Sequence, residues 1–436
     1  MPNAARYGTL YGDRMRRLLD LIGNDSLRKN SFALIASQAV IAGSGFIFWM
    51  LCARLFSAEE VGLATAFLSL ATLTASLTNL GLSNTVLRFM PKSKSRSKLA
   101  VACASAGMIS SVIGGAIVLS TLQFVSPELL FVRSSDIYIV LFLAAICGNT
   151  LGLLVDSMII ALRKSIFVFY KAVIGAVPRL GLPIILAGMS IKGILLPHIT
   201  MLIIGLLFGV YTLFAMSAKR ITFSFAELWR HRKFAASNYL GGIFGVLPTT
   251  LVPLIILHAL GPEKSAYFYM PMQLAVFLGV IASSTSQAML SEAAHESSSS
   301  AMRSHVKNGL KHLYALLVPA ATTLAVLGHF VLSIYGSDYA REGTALLQLF
   351  CVGSLFVAFN WVGDTWLNIQ KRNRAFFAMN VTNAVLVIGF CSIAATHGLV
   401  MIGVGWLAAQ ALSSVIWLCL FGRSYVRSFF STVSYK

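Results

Sequence analysis

The chain has 436 residues, of which 57% are apolar and only 11% charged, and its mean hydropathy is +0.79. A soluble globular protein is roughly half apolar and a quarter charged, so this composition excludes an ordinary soluble domain. A net charge of +19 is also typical of nucleic-acid-binding proteins, but the positions of the basic residues argue against that class. Long apolar runs recur from residue 32 to residue 421, which predicts an all-α, polytopic membrane protein.

Each membrane-spanning helix needs about 20 apolar residues. By this criterion the sequence predicts twelve spans, at 32–53, 61–82, 99–121, 137–162, 172–190, 194–215, 235–259, 265–290, 310–334, 343–369, 375–396 and 400–421. The predicted domains are a basic tail (1–31), an N-terminal six-helix bundle (32–215), a connector (216–234), a C-terminal six-helix bundle (235–421) and a second tail (422–436). We expect the first tail to be either an amphipathic helix on the membrane surface or a disordered basic segment.

The distribution of basic residues predicts the topology. Of the 34 Lys and Arg residues, 28 fall in the two tails and in the connections after spans 2, 4, 6, 8 and 10. Since basic residues concentrate on the cytoplasmic side of a membrane protein, we expect both termini in the cytoplasm and the chain in the cytoplasmic (inner) membrane. The charge is spread over short loops, so no basic groove for nucleic acid is predicted.

Two sets of chemical motifs are missing from the sequence. None of the six cysteines forms a CxxC pair, and no nucleotide-binding loop of the Walker type occurs. We therefore predict no metal, no disulfide, no cofactor and no direct coupling to ATP. The connections on the external side are also short, which leaves little room for a catalytic domain and favours a transporter over an enzyme.

The two groups of six spans resemble each other at an offset of 208 residues. Asp156 aligns with Asp364, and each lies seven residues before a basic turn, which begins at Arg163 in the first half and at Lys371 in the second. Since six spans per repeat start each repeat on the same side, the repeats are predicted to be parallel.

An acid inside a membrane helix costs about 2.5–3.5 kcal/mol, so such residues are usually paired or functional. We predict that Asp156 pairs with Arg179 on the returning span, either as a polar latch that opens during transport or as a static lock between two helices. At the position equivalent to Arg179, the second half has the apolar Val387.

Asp364 is instead surrounded by amides. The candidates for its neighbours are Asn360, Asn368, Asn380 and Asn383. Amides stabilise a carboxylate less than a guanidinium does, so Asp364 is a candidate proton carrier for coupled transport. The alternative is a purely structural polar cluster.

Further candidates lie along spans 1, 2, 7 and 8. Arg54 and Arg88, at the ends of spans 1 and 2, either reach lipid headgroups or bind an anionic substrate. Gln273 and Gln287 give span 8 a polar side that suits a water-filled cavity.

Span 7 contains Pro248 and Pro253, which predict a kinked or broken helix. Span 1 has the gentler pair Gly43 and Gly45 at comparable depth. These four residues are either hinges or the cause of static kinks.

Three short segments resemble the oligosaccharide flippases of the polysaccharide-transporter (O-antigen and teichoic-acid export) family. They are Ala53-Arg-Leu-Phe-Ser-Ala-Glu-Glu-Val-Gly62, Asn79-Leu-Gly-Leu-Ser83 and Arg88-Phe89, and Leu260-Gly-Pro-Glu263 is a fainter copy of the first. The two sets of six helices are similar to the wider superfamily that includes multidrug/cation antiporters and lipid II flippases. The resemblance implies a V-shaped, two-lobed transporter with a cavity lined by spans 1, 2, 7 and 8.

The resemblance further implies alternating access, with an undecaprenyl-pyrophosphate-linked glycan as substrate for surface polysaccharide biosynthesis. Arginines of the cavity would hold the pyrophosphate, and Arg54, Arg88 and Arg179 are the residues placed to do so. Membrane lipids, and the polymerase and glycosyltransferases of the same pathway, are the expected partners. Two alternatives stay open, namely a drug or cation antiporter of the related branch and a membrane glycosyltransferase or polymerase.

Overall fold

The structure is a computed structural model that describes residues 26–93, 95–216, 225–295, 299–370 and 372–430. The predicted tail helix before residue 26, the connector residues 217–224 and the tail beyond residue 430 lie outside the described residues. Throughout the described ranges the chain is helical or in short turns and contains no β-strand. The all-α prediction is confirmed.

The described ranges contain thirteen α-helices and three short 3-10 helices (Met90–Lys92, Pro127–Ser134 and Ala187–Met189). The α-helices are α1 (Ser26–Leu55), α2 (Ala58–Thr78), α3 (Leu82–Phe89), α4 (Arg96–Val125), α5 (Asp136–Ala161), α6 (Ile166–Ile185), α7 (Ile191–Met216), α8 (Phe225–Leu260), α9 (Pro262–His295), α10 (Ser299–Ser333), α11 (Ser337–Ile369), α12 (Asn373–Ala395) and α13 (Leu399–Phe430). Twelve of them, all except the short α3, contain a segment long and apolar enough to cross a membrane. We call the end of the bundle where α1 begins and α13 ends the terminal end, and the other the far end.

The helices differ from the predicted spans by up to about ten residues at their ends, and two of these differences bear on the polar residues. The second span was predicted to reach residue 82, but α2 ends at Thr78 because the backbone turns left-handed at Leu80 (φ 50°) and Gly81 (φ 71°). The fifth was predicted to begin at residue 172, but α6 begins at Ile166. This earlier start brings Lys171 into the membrane, with consequences for Asp156.

The repeat is visible in the helix bounds. An offset of 208 carries the end of α5 at Ala161 onto the end of α11 at Ile369. It carries the start of α6 at Ile166 to within one residue of the start of α12 at Asn373. Asp156 and Asp364 therefore lie at the same height, each five residues from the end of its helix, or about 8 Å at 1.5 Å per residue.

The first six spans contact the last six mainly through α2, which packs against both α8 and α9. At the far end a Cβ on Gly62 would lie 1.7 Å from the carbonyl oxygen of Pro262, so only glycine permits this crossing of α2 and α9. At the terminal end a Cβ on Gly81 would lie 2.3 Å from the carbonyl oxygen of Ala235. The two sets of spans thus touch near both ends of the bundle.

Hydrogen bonds join the two sets at the same two places. At the terminal end, the Tyr239 hydroxyl donates to the Leu77 carbonyl over 2.5 Å. At the far end, Arg54 donates from Nε and Nη2 to the carbonyls of Ile334 and Ser333, both over 2.8 Å. Since these carbonyls belong to the end of α10, where a helix has unsatisfied acceptors and partial negative charge, the guanidinium caps that helix.

Candidate functional site

A cavity of about 630 Å³ lies within the second set of spans, between α8, α9, α11, α12 and α13. Its polar lining includes Asp364, Asn360, Asn368, Asn380, Asn383, Gln410, Ser413 and Ser286. Its apolar lining is rich in aromatic rings: Phe350, Trp361, Phe376, Trp406 and Trp417. The four asparagines predicted to surround Asp364 therefore do converge with it on one space.

Asp364 reaches the cavity from α11 and meets α12 across it. Asn380 donates from Nδ2 to Asp364 Oδ2 over 3.2 Å, and the same amide group donates to the Phe376 carbonyl over 3.0 Å. Throughout the described part of the chain, no Lys, Arg or His forms an ion pair with Asp364. A carboxyl group with one shared amide donor and an open cavity beside it retains room to bind a cation or a proton.

Asn360, one turn before Asp364, is held by α13. Its Nδ2 donates to Gln410 Oε1 over 3.1 Å, and its Oδ1 accepts a hydrogen bond from Ser414 Oγ over 2.9 Å. These α13 residues were not predicted from the sequence. Gln410, Ser413 and Ser414 recur at positions i, i+3 and i+4 of an apolar span, and this polar face was the available signal.

Two buried oxygens on the cavity wall have no hydrogen-bond partner among the described residues. They are Asn383 Oδ1 and Ser286 Oγ. Because leaving a buried acceptor unpaired costs about 1–3 kcal/mol, both oxygens are suited to a polar ligand in the cavity. Of the other predicted lining residues, Asn368 is exposed and borders the cavity, and the side chain of Gln287 lies outside the described residues.

Asp156 does not pair with Arg179, so that prediction is wrong. Its Oδ1 lies 2.7 Å from Lys171 Nζ, and both side chains are mostly buried. Lys171 Nζ also donates to the Gly152 carbonyl over 3.3 Å. The physical reason is the early start of α6, because it places Lys171 at the height of Asp156 and Arg179 two turns further on.

Arg179 is buried, with 7% of its surface exposed, about 20 Å from the terminal end of α6. Its guanidinium carbon lies 5.0 Å from the centre of the Phe48 ring, and Nη1 lies 3.5 Å from the Ile41 carbonyl oxygen. Its Nε has no partner. Among the described residues no carboxylate pairs with it, which is unusual for a buried arginine because a buried charge is costly unless it is paired.

The surroundings of Arg179 connect the two sets of spans. Tyr269 of α9 lies near Arg179, and the Tyr269 hydroxyl lies in hydrogen-bonding reach of Trp49 and Gln273. The Trp49 and Tyr269 rings are 5.0 Å apart. His198, whose Nδ1 is buried without a partner, lies beside Phe48. We call Phe48, Trp49, Arg179, His198, Tyr269 and Gln273 the arginine cluster.

Arg54 and Arg88 lie outside both the cavity and the arginine cluster. Arg54 caps α10 as described, and Arg88 is exposed on α3, with its guanidinium carbon 5.8 Å from the ring of Phe89. The Ser-Ala-Glu-Glu part of the first motif is a capping box, in which the Ser57 hydroxyl accepts from the Glu60 N–H and the Glu60 carboxylate accepts from the Ser57 N–H.

The predicted hinge residues lie in unbroken helices. Helix α8 continues through Pro248 and Pro253, so of the two predicted forms, kinked or broken, the broken one does not occur, and Pro248 lines the cavity. In α1, a Cβ on Gly45 would lie 3.4 Å from the Arg179 guanidinium, an ordinary van der Waals contact, while Gly43 has open space around it.

The fold is that of the transporters of the MOP superfamily. The chain aligns with the inward-facing conformation of a multidrug resistance MATE family transporter of that superfamily (TM-score 0.68, 15% identity, 92% of this chain and 99% of the other). It aligns similarly with the lipid II flippase MurJ in its inward closed conformation (0.69, 15%, 93% and 93%). A third similar structure is the MATE multidrug transporter DinF-BH in complex with R6G (0.66, 15%, 94% and 97%).

No family model matches the chain, and no curated protein matches it. At 15% identity these structural alignments establish the fold, and the function has to be argued from the chain's own residues.

Proposed function

We propose that the protein is a flippase that carries a lipid-linked oligosaccharide with a pyrophosphate linkage across the cytoplasmic membrane by alternating access. The observation that carries this proposal is Arg179, a buried guanidinium without a carboxylate at the contact between the two sets of spans. A buried cation that lacks a protein anion is suited to an anionic substrate group, and a planar guanidinium binds phosphate oxygens through paired hydrogen bonds.

The surroundings of Arg179 support transport rather than static binding. Tyr269 and Gln273 belong to α9, whereas Arg179, Trp49 and His198 belong to the first six spans. Rocking of one set against the other would therefore open the arginine cluster, and a diphosphate could then reach Arg179. Asp364, in the cavity of the second set, would couple this motion to a proton or cation gradient.

The basic terminal end fits the cytoplasmic side, which gives the substrate its direction of entry. The enzymes that build and polymerise such glycans are the partners that this function would require.

A direct test is flipping of a fluorescent polyprenyl-diphosphate sugar in proteoliposomes. We expect Arg179→Ala to lose most of the activity and Arg179→Lys to retain part of it, because a lysine keeps the charge but loses the paired geometry. Arg133→Ala is the matched control, since Arg133 is exposed at the far end. Equal activity of Arg179→Ala and the control, with all variants folded by thermal unfolding, would remove Arg179 from the mechanism.

A second candidate function is export of lipophilic cations. The observation that favours it is the combination of one carboxyl group and five aromatic rings around the 630 Å³ cavity, since aromatic faces and a carboxylate both attract organic cations. Accumulation of a cationic dye in the same proteoliposomes, abolished by Asp364→Asn while no lipid is flipped, would favour this function over the first.

A further inference from the structure

A second pocket, of about 580 Å³, lies on the first six spans at the terminal end, away from the cavity and from the arginine cluster. Its lining is Lys29, Asn30, Phe32, Ala33 and Ala36 of α1, Arg163 and Lys164 of the α5–α6 turn, and Ile166 and Phe169 of α6. Neither the proposed transport step nor its coupling uses these residues.

The pocket has a basic part and an apolar part, and the two meet where the apolar spans begin. The apolar spans begin at Phe32 and at Ile166, and the preceding span ends at Ala161. Lys29, Asn30, Arg163 and Lys164 therefore lie just outside the apolar zone, while the rest of the lining lies within it. Phe32 and Ile166 are 56% and 41% exposed, so the apolar wall is open to lipid chains.

The three cations are available to a ligand. All three are exposed, and no carboxylate in the described part of the chain pairs with any of them. The lining also contains no acid. Helix α6 begins at this pocket, and its partial positive charge adds to that of the side chains.

The pocket is held in shape by the packing of α1 on α6. Lys29, Phe32, Ala33 and Ala36 fall at positions i, i+3, i+4 and i+7, which form one face of α1. Asn30 Oδ1 accepts a hydrogen bond from the Ser165 N–H over 2.9 Å, and this bond fixes the start of α1 to the α5–α6 turn. The basic and apolar walls are thus joined in one corner of the fold.

We infer that this corner is a binding site for an anionic phospholipid of the leaflet at the terminal end. The lipid phosphate lies among Lys29, Arg163 and Lys164, and an acyl chain runs along Phe32, Ala36 and Phe169. Charge complementarity selects the anionic headgroup, and the position of the apolar wall selects a lipid over a free phosphate ion. Binding holds the start of α1 against the α5–α6 turn and stabilises the first six spans.

The test uses the full chain, delipidated in detergent, with phosphatidylglycerol, phosphatidylcholine or inorganic phosphate added at matched concentration. Lipid adducts are counted by native mass spectrometry, and Tm is measured in parallel. We expect phosphatidylglycerol to bind and raise Tm, and the other two to do neither. In the triple variant Lys29→Gln, Arg163→Gln, Lys164→Gln, phosphatidylglycerol affinity should fall about a hundredfold, since each cation near an anionic lipid contributes about a factor of five.

The matched control is Lys92→Gln, Arg96→Gln, Lys98→Gln, which removes three charges from the α3–α4 connection and the first turn of α4 at the same end. It should keep the parent affinity. If both triple variants lose the same affinity for phosphatidylglycerol, the lipid is attracted to the basic end in general, and the proposal of a specific site is overturned. Equal binding of phosphatidylcholine would overturn the role of charge, and full stabilisation by inorganic phosphate alone would overturn the role of the acyl chain.

Discussion

Asp156 and Asp364 lie at equivalent heights of equivalent helices, yet their surroundings differ. Asp156 forms an ion pair with Lys171, with 2.7 Å between Oδ1 and Nζ. Asp364 has a 3.2 Å hydrogen bond from Asn380 and faces a cavity of about 630 Å³. The first arrangement joins α5 to α6 by an ion pair, whereas the second leaves a carboxyl group accessible to a ligand.

The sequence difference behind this contrast is small. At the 208-residue offset, Lys171 corresponds to Met379, Gly152 to Asn360, Ala172 to Asn380 and Gly175 to Asn383. One lysine has thus been replaced by an apolar side chain, and three small residues by amides. A buried charge needs a partner or a functional reason, and only Asp156 has the partner. We therefore interpret the first site as structural and the second as functional.

The largest expected loss of stability comes from giving Asp156 the surroundings of Asp364, which means removing its lysine partner. Lys171→Met should reduce the free energy of unfolding by about 3 kcal/mol, because removing one partner of a buried ion pair leaves an uncompensated charge. The change in the free energy of unfolding is measured by denaturant titration in detergent. The double variant Asp156→Asn, Lys171→Met should recover much of the loss, since no charge then remains. A double variant no more stable than Lys171→Met would show that the pair itself is not the cause.

A smaller effect is expected from the amide that contacts Asp364. Asn380→Ala should reduce the free energy of unfolding by about 1.5 kcal/mol, the lower end of the range for a hydrogen bond to a charged group. Asn383→Ala, one turn away on the same helix, should cost clearly less, because its Oδ1 has no hydrogen-bond partner to lose. Thermal unfolding of the two variants side by side makes the comparison. The same loss in both would mean that the Asn380–Asp364 contact contributes nothing.

Much of this contrast was predictable from the sequence. Hydropathy alone gives the twelve spans, since each must satisfy its backbone within about 20 apolar residues. The repeat and the asparagines around Asp364 follow from spacing, because positions three and four apart share a helix face. The partners on α13, Gln410 and Ser414, come from packing between helices distant in the chain, and spacing within one span does not identify which helix lies opposite.

The pairing of Asp156 was not predictable for a different reason. Residues 166–170 are five apolar residues between the basic turn and Lys171. Because of that lysine, the loop was predicted to continue to Lys171. In the structure the helix starts at Ile166, and the lysine is tolerated inside the membrane because Asp156 neutralises it. A charge in a span thus obscures the span in a hydropathy profile when its partner is on another helix.

The same substitution at the two acids should give unequal results. Asp156→Asn leaves Lys171 buried without its partner and should cost about 3 kcal/mol of unfolding free energy. Asp364→Asn should cost less than about 1 kcal/mol, because an amide retains hydrogen bonding with Asn380. If Asp364 couples transport, Asp364→Asn should also abolish the dependence of flipping on an imposed pH or cation gradient. Unchanged gradient dependence in a folded Asp364→Asn protein would assign Asp364 to structure.

The smallest effect on stability is expected when the second site is made to resemble the first. Met379 is buried at the cavity wall, at the position equivalent to Lys171. Met379→Lys should leave stability within about 1 kcal/mol of the parent, because the new ammonium has Asp364 as its partner and the chain lengths of the two residues are similar. Transport should nevertheless be lost, since the ion pair would occupy the carboxyl group on which coupling depends.

Met379→Leu keeps the volume without the charge and should retain transport. If Met379→Lys transports as the parent does, the open carboxyl group of Asp364 is not what distinguishes the two halves, and the contrast between them must be sought in the aromatic walls of the cavity.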